Sequence, residues 1–260
     1  MPAHIAFEMD GNRRYARALS QPPLAGHVAG FHALHAVLGA CMRLHIRCVT
    51  VFAFSIENFA RPPDEVNALM RLAEEKLREL GARGAVLEKY GVRVNVLGRR
   101  ELLPAGVRAA VEWVEGVTRG NERAVFNLCM PYTSQDEITS AVQAAVREGV
   151  RAHEERLTTT TPSPPSPSTS STTSSPNTPT PTPTPTADVD INAHLSTTLA
   201  GSPPLDILIR TSGVKRLSGF MQWQASSHTQ IHLLDTYWPS FGLAQLVPVL
   251  LAYQRGVWGW

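Results

Sequence analysis

The sequence predicts an α/β fold, a central and mostly parallel six-stranded sheet flanked by helices. Three observations carry this. Short apolar runs rich in Val, Ile and Phe recur along the chain, and segments of helical length and period lie between them. The 260 residues, 43% hydrophobic and 18% charged, suffice for one large core or two small ones. Strands that alternate with helices are joined by crossovers rather than hairpins, so they run parallel and bury both faces.

The first strand is "AHIAFEM" (3–9). Asp10-Gly11-Asn12 turns the chain out of it into a helix beginning near Arg13, glycine supplying the backbone freedom of a tight turn. A helix over 28–44 leads to the second strand, "CVTVFAF" (48–54). In "DEVNALMRLAEEKLREL" (64–80), Val66, Leu69, Met70, Leu72, Ala73 and Leu77 form an apolar stripe, with Asp64 at the N-cap or first turn. The third strand "VRVNVL" (92–97), a helix over 105–119, the fourth strand "AVFNLCM" (124–130) and a helix over 135–155 follow. From Thr158 to Thr186 every residue is Ser, Thr or Pro except Asn177, so no apolar side chain offsets the entropy of ordering, and the stretch reads as a disordered insertion. "LDILI" (205–209) and "IHLL" (231–234) are the last strands. The expected organisation is one domain in two parts, 1–157 and 187–260, interrupted by 158–186.

Twenty-four Lys+Arg against 22 Asp+Glu leave a net charge of +2, too balanced for a nucleic-acid surface but open to local clusters that hold a small anion. Cys41, Cys48 and Cys129 show neither CxxC nor Cys/His ligand spacing, which suggests no disulfide framework or zinc site and fits a reducing compartment. No signal-peptide pattern opens "MPAHIAFEMD". No apolar run approaches the roughly 20 residues of a bilayer span, so no transmembrane helix is expected.

In such sheets ligands bind beyond the carboxyl ends of the strands. "DGNRR", "SIENFAR", "PYTSQDE" and "RTSGVKRLS" follow the first, second, fourth and fifth strands, so all are expected on one rim. Two readings stand for the first. Gly11, Asn12, Arg13 and Arg14 can cradle a phosphate, in which case Asp10 would repel it unless a cation such as Mg²⁺ bridges them; or Asp10 caps the helix and pairs with an arginine. Arg210, Arg216 and Ser218, with Gly213 permitting close backbone approach, form a second phosphate-competent group. Ser55, Asn58 and Arg61 can hold a leaving diphosphate or relay a proton, although Glu57 and Arg61 also suit a plain surface pair.

"HIAFEMDGNRRYA", "GHVAGF", "CVTVFAFSIENFARP", "DILIRTSGVKRLSGFMQWQ" and "YWPSF" resemble, in order from His4 to Phe241, the cis-prenyltransferases (undecaprenyl diphosphate synthase-like), and most closely the dehydrodolichyl diphosphate synthase catalytic subunits of eukaryotes. The resemblance implies a Mg²⁺-dependent condensation of isopentenyl diphosphate with an allylic diphosphate such as farnesyl diphosphate, repeated with cis geometry, to build polyprenyl diphosphate for dolichol and protein glycosylation. By that likeness Asp10 binds the metal and aids departure of the allylic diphosphate, which Gly11, Asn12, Arg13 and Arg14 cradle with His27 nearby. Ser55 and Asn58 assist ionisation or proton removal, Arg61 supports the site, and Arg210, Arg216 and Ser218 hold isopentenyl diphosphate. A hydrophobic tunnel takes the growing chain; Leu34, Leu38, Leu69 and Met70 are candidates for its wall, though at helical spacing they also suit an ordinary core.

Some positions depart from the family. Pro23 stands where an arginine usually precedes the histidine of "GHxxG", Val214 where a glutamate follows "RTSG", Gln135 where an arginine follows "YTS", and Gln230 where bacterial members carry a metal-binding glutamate. Glu8 puts a charge in a strand position normally apolar. "AYQRGVWGW" lacks the Arg-x-Gly of homodimeric members, so the likeness implies a heteromer with a Nogo-B receptor-like partner that supplies that motif and peripheral attachment to the cytoplasmic face of the endoplasmic reticulum. A second reading is a catalytically impaired or regulatory subunit of the same fold; a generic phosphohydrolase lacks a visible nucleophile or second metal carboxylate.

Overall fold

The computed structural model describes residues 1–82, 86–159, 190–225 and 228–259. Six strands form one sheet: β1 (His4–Glu8), β2 (Cys48–Phe52), β3 (Val92–Leu97), β4 (Ala124–Cys129), β5 (Ile207–Arg210) and β6 (Gln230–Leu233). Their order is β3-β4-β2-β1-β5-β6, and every neighbouring pair is parallel. The helices are α1 (Asn12–Ala18), α2 (Pro23–Arg43), α3 (Pro63–Gly81), α4 (Val86–Tyr90), α5 (Ala105–Thr118), α6 (Ser134–Thr159), α7 (Ser196–Leu199) and α8 (Leu243–Trp258).

All five residues of β1 are buried, the pattern of a central parallel strand covered on both faces. Alternation splits them: Ile5 and Phe7 join the large core with side chains of α2, α3, α5 and α8, whereas Ala6 lies opposite, with Leu208, Phe220 and Met221. Glu8 shares the face of Ala6, and Arg210 that of Leu208, so the register that places Glu8 opposite Arg210 brings two charges together inside the sheet.

The structure departs from the sequence reading at three places. α6 continues through Thr159, two residues into the expected insertion, and 160–186 lie outside the described residues. α2 is by length and composition apolar enough to cross a membrane, although no such helix was expected; much of it is buried in the core, including Leu34, Val37 and Leu38. α8 was not anticipated, although Leu246, Val249 and Leu250 bury a full face.

α2 begins at Pro23, whose fixed φ and missing N–H suit a first helical position. Two of its three glycines explain "GHVAGF": a Cβ on Gly26 would stand 2.0 Å from the Asn12 carbonyl oxygen, and one on Gly30 would stand 2.4 Å from Asn12 Oδ1. Only glycine at both positions lets α2 lie against the entry of α1. The Trp238 indole N–H then closes the contact by donating to the Gly30 carbonyl at 2.8 Å.

Candidate active site

A cavity of about 730 Å³ opens beyond the carboxyl ends of β1, β2 and β5. Asp10, Gly11, Asn12, Arg13, Arg14, His27, Ser55, Asn58, Arg61, Arg210, Arg216 and Ser218 all line it. The sheet order makes this unavoidable, because β2, β1 and β5 are adjacent and each ends in one of the polar segments.

Gly11 turns the chain out of β1 at φ 104°, where a side chain would also strike Tyr237. Asp10 is not the helix cap. Its Oδ1 accepts from the Gly11 N–H at 2.6 Å, and its Oδ2 from Arg14 at 3.3 Å and Arg210 at 3.1 Å. Burial would raise its pKa, but hydrogen bonds from Arg210, Ser212 and Gly11 outweigh this and hold the carboxyl below its usual range. Asp10 is therefore an ionised carboxylate, and its side chain is 33% exposed.

Arg14 is fixed on its far side by Ser212, donating to the carbonyl at 3.2 Å and to the hydroxyl at 2.6 Å. Arg13 and Arg61 converge on one oxygen of Glu65, at 3.7 and 3.1 Å, so two guanidinium groups stand side by side. The expected Glu57–Arg61 pair is replaced by this one. His27 lies near both arginines, and burial first, then Arg61, holds its pKa down to about 4. Its Nε2 is buried without a hydrogen-bond partner. A neutral imidazole with one free nitrogen thus sits among cations.

Ser55 and Asn58 cap the short 3₁₀ turn Ile56–Ala60 reciprocally: the Glu57 N–H donates to Ser55 Oγ at 3.2 Å, and the Ser55 N–H to Asn58 Oδ1 at 3.3 Å. The cap leaves the Asn58 amino group unused. On the opposite side, Arg210 is only 3% exposed and donates to the Arg216 carbonyl and to Ser218 Oγ at 2.8 Å. The loop it holds is strained, with Ser212 at φ 76° and Ser218 at φ 43°. Thr211 ties its root to β1, donating to the Asp10 carbonyl at 2.7 Å and accepting from the Asp10 N–H at 3.0 Å.

"PYTSQDE" does not reach the cavity with its polar groups. Tyr132 donates to buried Glu137, and the Ser134 N–H donates to the Gly219 carbonyl, so this segment supports the 211–222 loop from behind. Gln135 is exposed and outside the cavity, whereas Val214 lines it. The inner lining is apolar, with Leu34, Phe54, Leu69, Leu77, Leu128 and Met130. Leu38 and Met70, candidates for a tunnel wall, belong to the packed core instead. Sequence reasoning did not foresee Lys76 or Trp238 in the lining, and only tertiary contact reveals them.

Glu8 is also in the lining although 95% enclosed. Its Oε1 lies 2.7 Å from Arg210 Nη1 and its Oε2 is buried without a hydrogen-bond partner. Burial pushes its pKa up to about 8, against the pull of Arg210.

Among the described residues no three His, Cys, Asp or Glu side chains gather as an all-protein metal cage. The donor set fits a hard cation of another kind: Mg²⁺ is commonly held by one or two carboxylates together with substrate phosphates, and ionised Asp10 faces the same cavity as the arginines.

Three comparisons bear on this geometry. A family model described as "Putative undecaprenyl diphosphate synthase" matches residues 9–257. The chain is 37% identical over 255 residues to a dehydrodolichyl diphosphate synthase complex subunit of Schizosaccharomyces pombe, covering 98% of this chain and 85% of that protein. It is 39% identical over 258 residues to dehydrodolichyl diphosphate synthase 6 of Arabidopsis thaliana, covering 98% and 83%. Among solved structures, lavandulyl diphosphate synthase from Lavandula x intermedia, in complex with dimethylallyl diphosphate, superposes with a TM-score of 0.76 at 26% identity, over 97% of this chain and 94% of that one.

Proposed function

The chain belongs to the undecaprenyl diphosphate synthase-like family of cis-prenyltransferases, and from that premise we propose that it condenses isopentenyl diphosphate with an allylic diphosphate such as farnesyl diphosphate, extending a polyprenyl diphosphate for dolichol synthesis. One observation carries the reading: two arginine groups from separate segments of the chain flank one carboxylate in a cavity whose inner wall is apolar. Two diphosphates and a hydrocarbon tail need that division.

In the reaction the allylic C–O bond breaks and diphosphate leaves with the electron pair. The isopentenyl double bond attacks the resulting carbon, and a proton is lost from the adjacent isopentenyl carbon. Arg13, Arg14 and Arg61, with Gly11 and Asn12 at the turn, hold the departing diphosphate, where preplaced charge is most effective in a dry site. His27 offers its free Nε2 to the same group. Asp10 would hold Mg²⁺, which when bound supplies positive charge to the leaving oxygens. Ser55 and Asn58 orient the reacting end, and Arg216 and Ser218, on the loop organised by Arg210, receive the isopentenyl diphosphate. The apolar wall, including Leu34 and Leu69, accepts the growing tail and excludes water.

The Schizosaccharomyces pombe relative is named as a subunit of a complex, which supports a heteromer; a Nogo-B receptor-like partner and peripheral attachment at the endoplasmic reticulum extend that reading. The decisive experiment incubates the chain, alone and with such a partner, with farnesyl diphosphate, labelled isopentenyl diphosphate and Mg²⁺, then sizes the product. Elongation that needs Mg²⁺ is expected. Absence of any C–C bond formation in either arm would refute the assignment.

A further inference from the structure

The end of the sheet opposite the cavity mouth is cationic. Arg47 and Arg123 immediately precede β2 and β4, and backbone bonds tie these starts together: the Val125 N–H donates to the Arg47 carbonyl at 2.8 Å, and the Arg123 N–H to the Gly91 carbonyl at 3.1 Å, close to Lys89 and the start of β3. Arg43 ends α2, and Arg119 caps the end of α5, where the Asn121 side chain donates to the Val92 carbonyl at 2.9 Å. Five cations from three connections thus meet at the amino ends of β2, β3 and β4. All five are exposed, and among the described residues the four guanidinium groups make no hydrogen bond or ion pair. The acids on these connections are Glu88 and Glu122. Asp206, farther along the same edge, is engaged by the Ala3 and His4 N–H groups and by Tyr253.

Two further observations choose among anionic partners. Trp113 and Val117, in the last two turns of α5, are exposed, and Trp113 packs beside Gly81 at the end of α3. The apolar wall of the cavity also reaches toward this end, since Leu77 and Leu80, late in α3, line it. Arginines alone suit any polyanion; arginines near an exposed indole, at the end where a hydrocarbon tail is housed, suit a bilayer. We infer that the edge formed by Arg43, Arg47, Lys89, Arg119 and Arg123 docks this chain on an anionic lipid surface. The guanidinium groups meet headgroup phosphates, Trp113 and Val117 enter the headgroup layer, and the arginines of the cavity mouth stay in water. The docking stands on charge and placement; its use, delivery of the growing tail toward lipid, rests on the function proposed above. Unlike attachment through a partner subunit, it is weakened by salt, because exposed charges are screened within about 10 Å at ~0.1 M ionic strength.

The test sediments the full chain with phosphatidylcholine vesicles, with and without about 30% phosphatidylserine, at ~0.1 M and ~0.5 M salt. Arg47→Gln/Arg123→Gln is compared with Arg71→Gln/Arg108→Gln, which removes equal charge from exposed positions of α3 and α5 away from this edge. Wild type should bind only the phosphatidylserine vesicles and release them at high salt. The first variant should bind about tenfold more weakly with its unfolding temperature preserved, and the second within about twofold of wild type. Vesicle binding that ignores phosphatidylserine, or an equal loss in both variants, overturns the inference. Labelled RNA held by Arg47 and Arg123 while vesicles stay unbound overturns it as well. If wild type docks through these arginines yet elongates no chain, the proposed reaction falls and the docking surface stands; elongation without any docking removes the surface alone.

Discussion

Asp10 joins the two halves of the cavity, since Arg14 and Arg210 reach its Oδ2 from opposite sides. Replacing it with alanine removes the ionised carboxylate but leaves the buried Arg210 guanidinium held by the Arg216 carbonyl and Ser218 Oγ. Asp10→Ala should lose at least about a hundredfold in kcat/KM, with a stability cost of only about 1 kcal/mol, read from elongation rates and urea unfolding. His4 tests a different residue-scale effect. Its Nδ1–H donates to the Pro203 carbonyl at 2.9 Å and its Nε2 accepts from the Thr50 hydroxyl at 2.7 Å, while burial pulls its pKa from 6.5 down to about 4. The unfolded chain therefore binds more protons between these values, and this contribution to stability is present above pH 6.5 and lost as pH falls toward 4. Between pH 7 and 4.5 the wild type should lose about 2–3 kcal/mol more than His4→Gln, measured by urea unfolding at both values. The site residues were legible in "DGNRR" and "RTSGVKRLS" because short polar motifs after strands carry their own signal. Glu65 was not, because its pairing with Arg13 depends on how α3 lies against α1.

Among the elements, the strands and the longer helices α2, α3, α5 and α6 followed from periodicity with end shifts of a few residues, β3 matched at both ends, and the short α4 and α7 were not anticipated. α8 escaped because "LAQLVPVLLAYQRGVW" carries a proline at position 248 and an apolar majority that blurs the period. What no pattern could supply is the spacing between helices. Gly26 and Gly30 read as motif letters in the sequence; in the fold they are the two points where α2 touches Asn12. Gly26→Ala should force the Asn12 carbonyl away, costing roughly 1–3 kcal/mol in urea unfolding and raising KM for the allylic diphosphate more than that for isopentenyl diphosphate. An unchanged KM ratio would mean that α2 yields instead of the turn.

At the scale of the molecule, the strands on either side of 158–186 share one sheet, with β5 paired to β1. The segment that re-enters after the insertion is held by the Ser196 N–H donating to Glu137 Oε1 at 3.0 Å and by His194 facing Glu148 at 3.0 Å. These contacts secure the return of the chain without residues 160–186. Exchanging that stretch for a Gly/Ser linker of about ten residues should change stability by about 1 kcal/mol, since loop-closure entropy varies only logarithmically with length, and elongation should persist. A large loss of product in that variant would assign the stretch a direct part in activity. The pairing of β1 with β5 also has a consequence in time. β1 is made first, yet the strand that completes its second edge follows it by about two hundred residues, and so does the guanidinium that meets Asp10. During vectorial synthesis β1 therefore exposes a bare ladder edge until the last quarter of the chain emerges, and the site comes into being in a single late step.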